Sequence, residues 1–120
     1  MELELAYDNR YRLTTNRLSA ASDLLNYSYG YDSSGNVTVI TDVLGSAWNR
    51  TFGYDDLHRL TVANSGASLW CAGSYSYDAM ENMLSLALGT TRSASFTYSG
   101  ATPKIANATE KLRVRPTLVA

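Results

Sequence analysis

Tyr31-Asp32-Ser33-Ser34-Gly35-Asn36-Val37 is the stretch that decides the fold, because looser copies of it recur along the 120-residue chain. The recurring element is a Tyr-Asp pair, found at Tyr7-Asp8, Tyr31-Asp32, Tyr54-Asp55 and Tyr77-Asp78. Successive pairs are separated by 24, 23 and 23 residues, and Tyr98-Ser99 follows 21 residues after the last. A fixed period of roughly 20–50 residues indicates a repeat architecture.

The residues that flank each pair are also matched. Two positions before the tyrosine stands a large apolar side chain: Leu5, Tyr29, Phe52, Tyr75 and Phe96. This spacing of two places the side chain on the same strand face as the tyrosine. The fifth position after the tyrosine is Arg12, Asn36, Arg59 or Asn82, and the sixth is Leu13, Val37, Leu60 or Met83. Each unit is therefore predicted to be strand, turn, strand.

The turn between the two strands has its own chemistry. An aspartate directly after a strand can accept hydrogen bonds from backbone N–H groups further round the turn, and Gly35 can adopt positive φ without a Cβ clash. The positions equivalent to Gly35 hold Tyr11, His58 and Glu81. These three copies are expected to contain either a strained residue or a different type of turn.

The units together predict an all-β protein, an array of antiparallel β-hairpins that forms a twisted, open strip of sheet. We expect the array at 1–100, with repeats near 3–24, 27–47, 50–70 and 73–94 and a partial one at 95–100. Stacked hairpins are expected to place Tyr beside Tyr across strands. The free edges of an open strip are expected to promote self-association, or pairing with the remainder of a longer chain.

The pattern ends after Tyr98. Ser99 replaces the turn aspartate, and Pro103 occupies the fifth position, where proline cannot donate to a sheet ladder. We interpret residues 101–120 as a loose, non-repeat tail. The alternative is that this segment folds back and covers the last strand.

The whole pattern resembles the YD repeat of Rhs proteins, which also occurs in Tc-toxin C components, wall-associated bacterial toxins and teneurins. The residues that carry the resemblance are Tyr7, Asp8, Tyr31, Asp32, Gly35, Asn36, Tyr54, Asp55, Arg59, Tyr77, Asp78 and Asn82. It covers about residues 3–100. The resemblance implies a non-catalytic segment of a sheet that can close into a hollow shell and that encloses or presents a toxin or adhesive domain in a longer parent. It also implies an extracellular or cell-surface location if that parent is exported.

Composition argues against several other classes of protein. The formal net charge is −1 and no basic stripe is present, so nucleic acid is not an expected partner. The single cysteine, Cys71, and the single histidine, His58, give no metal-ligand set, so no metal or cofactor is expected. No apolar run is long enough to span a membrane, and the N-terminal residues do not form a signal peptide.

Two kinds of candidate site remain. The four aspartates could suggest paired-carboxylate catalysis, but their repetition favours four turn caps, so the chain is not expected to be an enzyme. Trp48 and Trp70 precede strands and could form a platform for sugar rings, although packing within the sheet is the favoured interpretation. An independent carbohydrate- or protein-binding module is therefore the alternative function.

Overall fold

A computed structural model describes residues 1–100 and 104–112, which form a single antiparallel sheet. The ten strands lie in the sheet in the order in which they occur along the chain. They are β1 (Glu2–Tyr7), β2 (Leu13–Ser19), β3 (Asp23–Tyr31), β4 (Val37–Asp42), β5 (Arg50–Tyr54), β6 (Leu60–Asn64), β7 (Ala72–Tyr77), β8 (Met83–Leu88), β9 (Arg92–Ser99) and β10 (Lys104–Leu112). The one helical element within these residues is a single 3-10 turn at Ser46–Trp48.

The repeat unit corresponds to a hairpin, as the sequence predicts. In the first four hairpins the tyrosine ends the first strand and pairs with the residue that begins the second: Tyr7 with Leu13, Tyr31 with Val37, Tyr54 with Leu60 and Tyr77 with Met83. The register then shifts by one residue, which leaves a bulge residue in the second strand of each hairpin, namely Thr14, Thr38, Thr61 or Leu84. A bulge next to the turn increases the local twist of the sheet.

The register divides the side chains between two different faces. Residues directly opposite in paired strands share a face, and alternate residues of one strand lie on opposite faces. All five repeat tyrosines therefore lie on one face, which we call the aromatic face, together with Tyr29, Phe52, Tyr75 and Phe96. The other face carries small and hydroxyl side chains, such as the pairs Ser28–Thr41 and Ser76–Ser85.

The tyrosines do not pair with one another, so that expectation is wrong. They lie on alternate strands of the sheet, and the residue directly opposite each of the first four is the aliphatic or methionine side chain that begins the next strand. Since neighbouring strands are about 4.8 Å apart, successive tyrosines are separated by roughly twice that distance.

The sheet has almost no enclosed core. Its Cα atoms extend over 56 × 52 × 19 Å with a radius of gyration of 18.6 Å, whereas a compact domain of this length has a value of about 14 Å. Of the residues whose burial is described, only Ala63, Ser65 and Gly73 are buried. They lie where β6 leads into β7, and the Trp70 side chain donates from Nε1 to the carbonyl oxygen of Ala63 there, at 3.2 Å. Stability must therefore come mainly from contacts between neighbouring strands.

The segment after residue 100 differs from the expected loose tail. Residues 104–112 form β10, which pairs antiparallel with β9 in the register Phe96 with Ala108. This arrangement corresponds to the alternative in which the segment folds back against the last strand. Pro103 and residues 113–120 lie outside the described residues, and the division of the chain at residue 100 stays a prediction. In the described part of the chain, no helix has the length and hydropathy to cross a membrane.

Candidate functional site

The four Tyr-Asp turns share one geometry, which the first turn illustrates. The backbone N–H of Asp8 donates to the carbonyl oxygen of Arg12 at 2.9 Å, and that of Tyr11 donates to the carbonyl oxygen of Asp8 at 3.0 Å. The Asp8 Oδ1 accepts from the N–H groups of Arg10 and Arg12 at 2.8 and 3.0 Å. Asp32, Asp55 and Asp78 make the same pair of bonds two and four residues ahead. The predicted capping role is confirmed in all four turns.

The second carboxylate oxygen binds the side chain at the fifth position after the tyrosine. Arg12 and Arg59 donate from Nε to Asp8 and Asp55 at 2.7 Å. Asn36 and Asn82 donate their amides to Asp32 and Asp78 at 2.9 and 3.0 Å. Arginine and asparagine therefore occupy the same place because both present an N–H group to one carboxylate oxygen.

These hydrogen bonds favour the ionised aspartates. The backbone N–H of the residue four ahead is the main cause of the lowered pKa of Asp8 and of Asp55. For Asp32 and Asp78 the main cause of the lowered pKa is the asparagine amide. Each carboxylate thus accepts three N–H groups in its own turn, which holds the turn in place.

The residue before the fifth position has positive φ in every copy. The φ angles are 60° at Tyr11, 92° at Gly35, 61° at His58 and 69° at Glu81. The three turns without glycine were expected to contain either a strained residue or a different type of turn. The structure shows the first alternative, because all four turns have the same positive-φ position. A type I turn followed by a left-handed residue is a usual three-residue hairpin loop.

Each repeat tyrosine after Tyr7 also bonds to the preceding repeat. The hydroxyl of Tyr31 donates to the carbonyl oxygen of Leu13 at 2.7 Å. The same bond joins Tyr54 to Val37, Tyr77 to Leu60 and Tyr98 to Met83, at 2.8, 2.8 and 2.6 Å. The acceptor is always the residue paired with the tyrosine one repeat earlier. The sequence pattern did not predict these bonds. The signal for them is that this position is tyrosine and not phenylalanine in all five copies, since the two residues differ only in the hydroxyl.

Comparison with known protein families matches the region that contains the second and third Tyr-Asp turns. Residues 31–68 match the RHS Repeat family model. The match identifies this part of the chain as RHS repeat. A search of curated proteins found no significant match to the chain.

Neighbouring repeats are further linked by arginines of the first and third turns. Arg12 donates from Nη1 to the carbonyl oxygen of Asp32 at 3.2 Å, and its Cζ lies 4.6 Å from the centroid of the Tyr31 ring. Arg59 makes the same contacts with the next repeat, at 2.9 Å to the carbonyl oxygen of Asp78 and 4.8 Å to the centroid of the Tyr77 ring. One guanidinium therefore holds its own turn aspartate, the carbonyl of the following turn and the face of the following tyrosine.

The two tryptophans have different environments in the sheet. Trp48 ends the 3-10 turn between β4 and β5 and is 44% exposed. Trp70 is half-buried, and its backbone N–H donates to the Oγ of the buried Ser65 at 3.0 Å. Among the described residues, no hydrogen bond joins the two tryptophan side chains. Their role in binding sugar stays a prediction.

The remaining candidates lie at the turns and loops of the RHS-repeat sheet. His58 is exposed in the third turn, where its Nδ1 lies 3.0 Å from the amide nitrogen of Asn36. Cys71 is exposed with φ of 62° in the loop between β6 and β7. In residues 1–100 and 104–112 no three His, Cys, Asp or Glu side chains are grouped so as to hold a metal ion. The four turn aspartates each act within their own turn, which suits a structural role.

Proposed function

We propose that this RHS-repeat sheet is a non-catalytic wall segment of a longer protein, in which the wall encloses or presents a toxin or adhesive domain. The observation that carries the proposal is the combination of a thin, open sheet with contacts that run from each repeat to the next. A domain that acts alone normally encloses a core, and this sheet, 19 Å thick, buries only three of its described residues.

The contacts between repeats favour indefinite extension. The tyrosine hydroxyl bonds to the preceding repeat, and the arginine guanidinium contacts the following one. Both links repeat at a fixed step, so a further hairpin could be added at either edge without rearranging the existing ones. Such a sheet is suited to forming a wall of any required length.

The difference between the faces supports a wall with two environments. The aromatic face presents half-buried Tyr29, Phe52 and Tyr75, whereas the opposite face presents serine and threonine. An apolar sheet face of this size normally packs against another polypeptide. The cargo of the wall is therefore expected to contact the aromatic face, and the hydroxyl face is expected to contact water.

The experiment that tests the proposal begins with the reading frame on both sides of this segment. We expect further Tyr-Asp repeats upstream and a distinct domain encoded downstream. The parent protein should then be digested with a protease, with the separately produced downstream domain as the control. Protection of that domain in the parent only is the expected result. Equal digestion of both, or flanking sequence without repeats, would refute the wall.

The second candidate function, a surface module that binds carbohydrate, is favoured by one observation. The connection between β4 and β5 carries three exposed large apolar side chains, Trp48, Val43 and Leu44, which are 44%, 57% and 52% exposed. Aromatic and aliphatic groups of this kind can pack against sugar rings. A glycan array probed with the wild-type chain and with Trp48→Ala tests the idea. Met80→Ala removes an exposed apolar side chain elsewhere and is the matched control.

A further inference from the structure

Neighbouring Tyr-Asp turns of the sheet meet at grooves. Between the first and second turns, and again between the third and fourth, an arginine of the chain fills the groove. Its guanidinium lies over the ring of the next tyrosine and donates to the carbonyl oxygen of the next turn aspartate. Arg12 and Arg59 thus make the same set of contacts in the two grooves, and in the first groove Arg10 also donates from Nη1 to the carbonyl oxygen of Ser33 at 3.0 Å.

The groove between the second and third turns has the same walls but a shorter side chain. Its fifth-position residue is Asn36, whose amide nitrogen contacts Asp32 at 2.9 Å and His58 at 3.0 Å. Among the described residues, no arginine or lysine lies over the Tyr54 ring as Arg12 does over Tyr31. A cleft of about 350 Å³ is present there instead, lined by Asp32, Asn36, Phe52, Tyr54, Asp55 and His58. We call it the Tyr54 groove.

The walls of the Tyr54 groove suit a cation. Asp32, Asp55 and the exposed Asp56 line it, whereas Arg59, which donates to Asp55 Oδ2 at 2.7 Å, is not among the lining residues. The negative charge of Asp32 contributes, after burial, to a raised pKa of Tyr54. In the described part of the chain, the Asp55 carbonyl oxygen accepts one hydrogen bond, from the backbone N–H of His58 at 2.9 Å. The equivalent carbonyl oxygen of Asp32 accepts two, one from the backbone N–H of Gly35 and one from the Arg12 guanidinium. The Asp55 carbonyl can therefore take a second donor.

We propose that the Tyr54 groove binds an arginine side chain of a partner polypeptide. The planar guanidinium stacks on the Tyr54 ring and donates to the carbonyl oxygen of Asp55, and the carboxylates of Asp32 and Asp56 neutralise its charge. Arginine fits better than lysine because its flat, forked group can stack and donate in one plane, as Arg12 and Arg59 do in the two equivalent grooves.

The test is a titration of the full 120-residue chain followed by nuclear magnetic resonance. The probe is N-acetyl-arginine amide, and its neutral isostere N-acetyl-citrulline amide is the control ligand. We expect the Tyr54 ring and His58 resonances to shift with the arginine probe, with affinity at least about fivefold higher than for citrulline. N-acetyl-lysine amide should bind more weakly than arginine. No shift with arginine, or equal affinity for citrulline, would overturn the proposal.

A variant of the chain provides the converse test. Asn36→Arg introduces at the Tyr54 groove the same residue type that Arg12 and Arg59 supply to the two equivalent grooves. Because the new side chain would occupy the groove, binding of the arginine probe should be lost. Asn82→Arg adds the same charge at the equivalent position of the fourth turn and should leave probe binding unchanged. Circular dichroism confirms that both variants keep the sheet. Retention of wild-type affinity by Asn36→Arg would show that the probe binds elsewhere and would refute the assignment.

Discussion

The hydroxyl of Tyr77 donates a 2.8 Å hydrogen bond to the carbonyl oxygen of Leu60, a residue 17 positions earlier and one repeat back. This bond reaches from β7 to the residue that begins β6, at the point where the third hairpin bulges. It joins the end of the first strand of one repeat to the start of the second strand of the previous one. The tyrosine of the Tyr-Asp pair is thus a link between repeats as well as an apolar residue of the sheet.

Replacement of this hydroxyl measures the link directly. Tyr77→Phe keeps the ring and leaves the Leu60 carbonyl without its donor, so the free energy of unfolding should fall by about 1 kcal/mol. Denaturant unfolding followed by circular dichroism gives the value. The control is Tyr7→Phe, because Tyr7 is 56% exposed on the edge strand β1. Equal effects of the two changes would contradict a role for the hydroxyl in joining repeats.

Strain in the turns predicts that glycine stabilises the protein. His58 and Glu81 have φ of 61° and 69°, a region where a side chain costs about 1–2 kcal/mol. His58→Gly and Glu81→Gly should each raise the free energy of unfolding by about 1 kcal/mol, since part of the relief is offset by the freedom that glycine gains in the unfolded chain. The reverse change, Gly35→Ala, should lower it by a similar amount. Stability unaltered by all three changes would rule out strain at these positions.

The turn aspartates predict a loss of stability in acid. Their pKa values are lower in the folded protein than in the unfolded chain, so the folded state binds fewer protons. The resulting stability is present above the unfolded pKa, near 3.9, and is lost as the pH falls through the lower folded values. Melting temperature should therefore fall as the pH drops below about 4.

A matched pair of substitutions isolates this effect. Asp55→Asn removes a charge that three N–H groups stabilise, whereas Asp56→Asn removes an exposed neighbouring charge. At neutral pH the first change should lower the melting temperature by roughly 4 °C and make it less dependent on acid. Identical acid profiles for the two variants would argue against the cap as the source of the pH dependence.

The open edges predict self-association of the isolated chain. Strands β1 and β10 are the two edges of the described sheet, and an edge strand offers unpaired N–H and C=O groups to another chain. The average mass measured by light scattering should rise with protein concentration. Leu3→Pro, which removes a donor from β1, should reduce this rise, and Leu57→Ala, at an exposed turn, should not. A strict monomer at high concentration would indicate that the edges are covered.

The hairpins and their caps could be predicted from the sequence because every interaction involved is local. Asp32 caps the N–H groups of Ser34 and Asn36, two and four residues ahead, and the bonding depends only on a turn that these residues themselves form. The spacing of Phe52 and Tyr54 likewise places them on one face of a strand by backbone geometry alone. Local patterns of this kind need no knowledge of the neighbouring repeats.

Only the tertiary structure decided which distant groups meet. Tyr54 bonds to Val37 and Arg12 contacts Tyr31 because the bulges set how far each hairpin is displaced along the next. From the sequence, the pairing of β10 with β9 is only the alternative to a loose tail, because residues after Ser99 lack the repeat pattern, whereas the free edge of β9 can pair with a strand of any sequence. The sequence by itself determined the repeating hairpin, since that is a property of neighbouring residues. Register between hairpins and the open, single-layer shape depend on contacts across about 20 residues, and therefore on the assembled sheet.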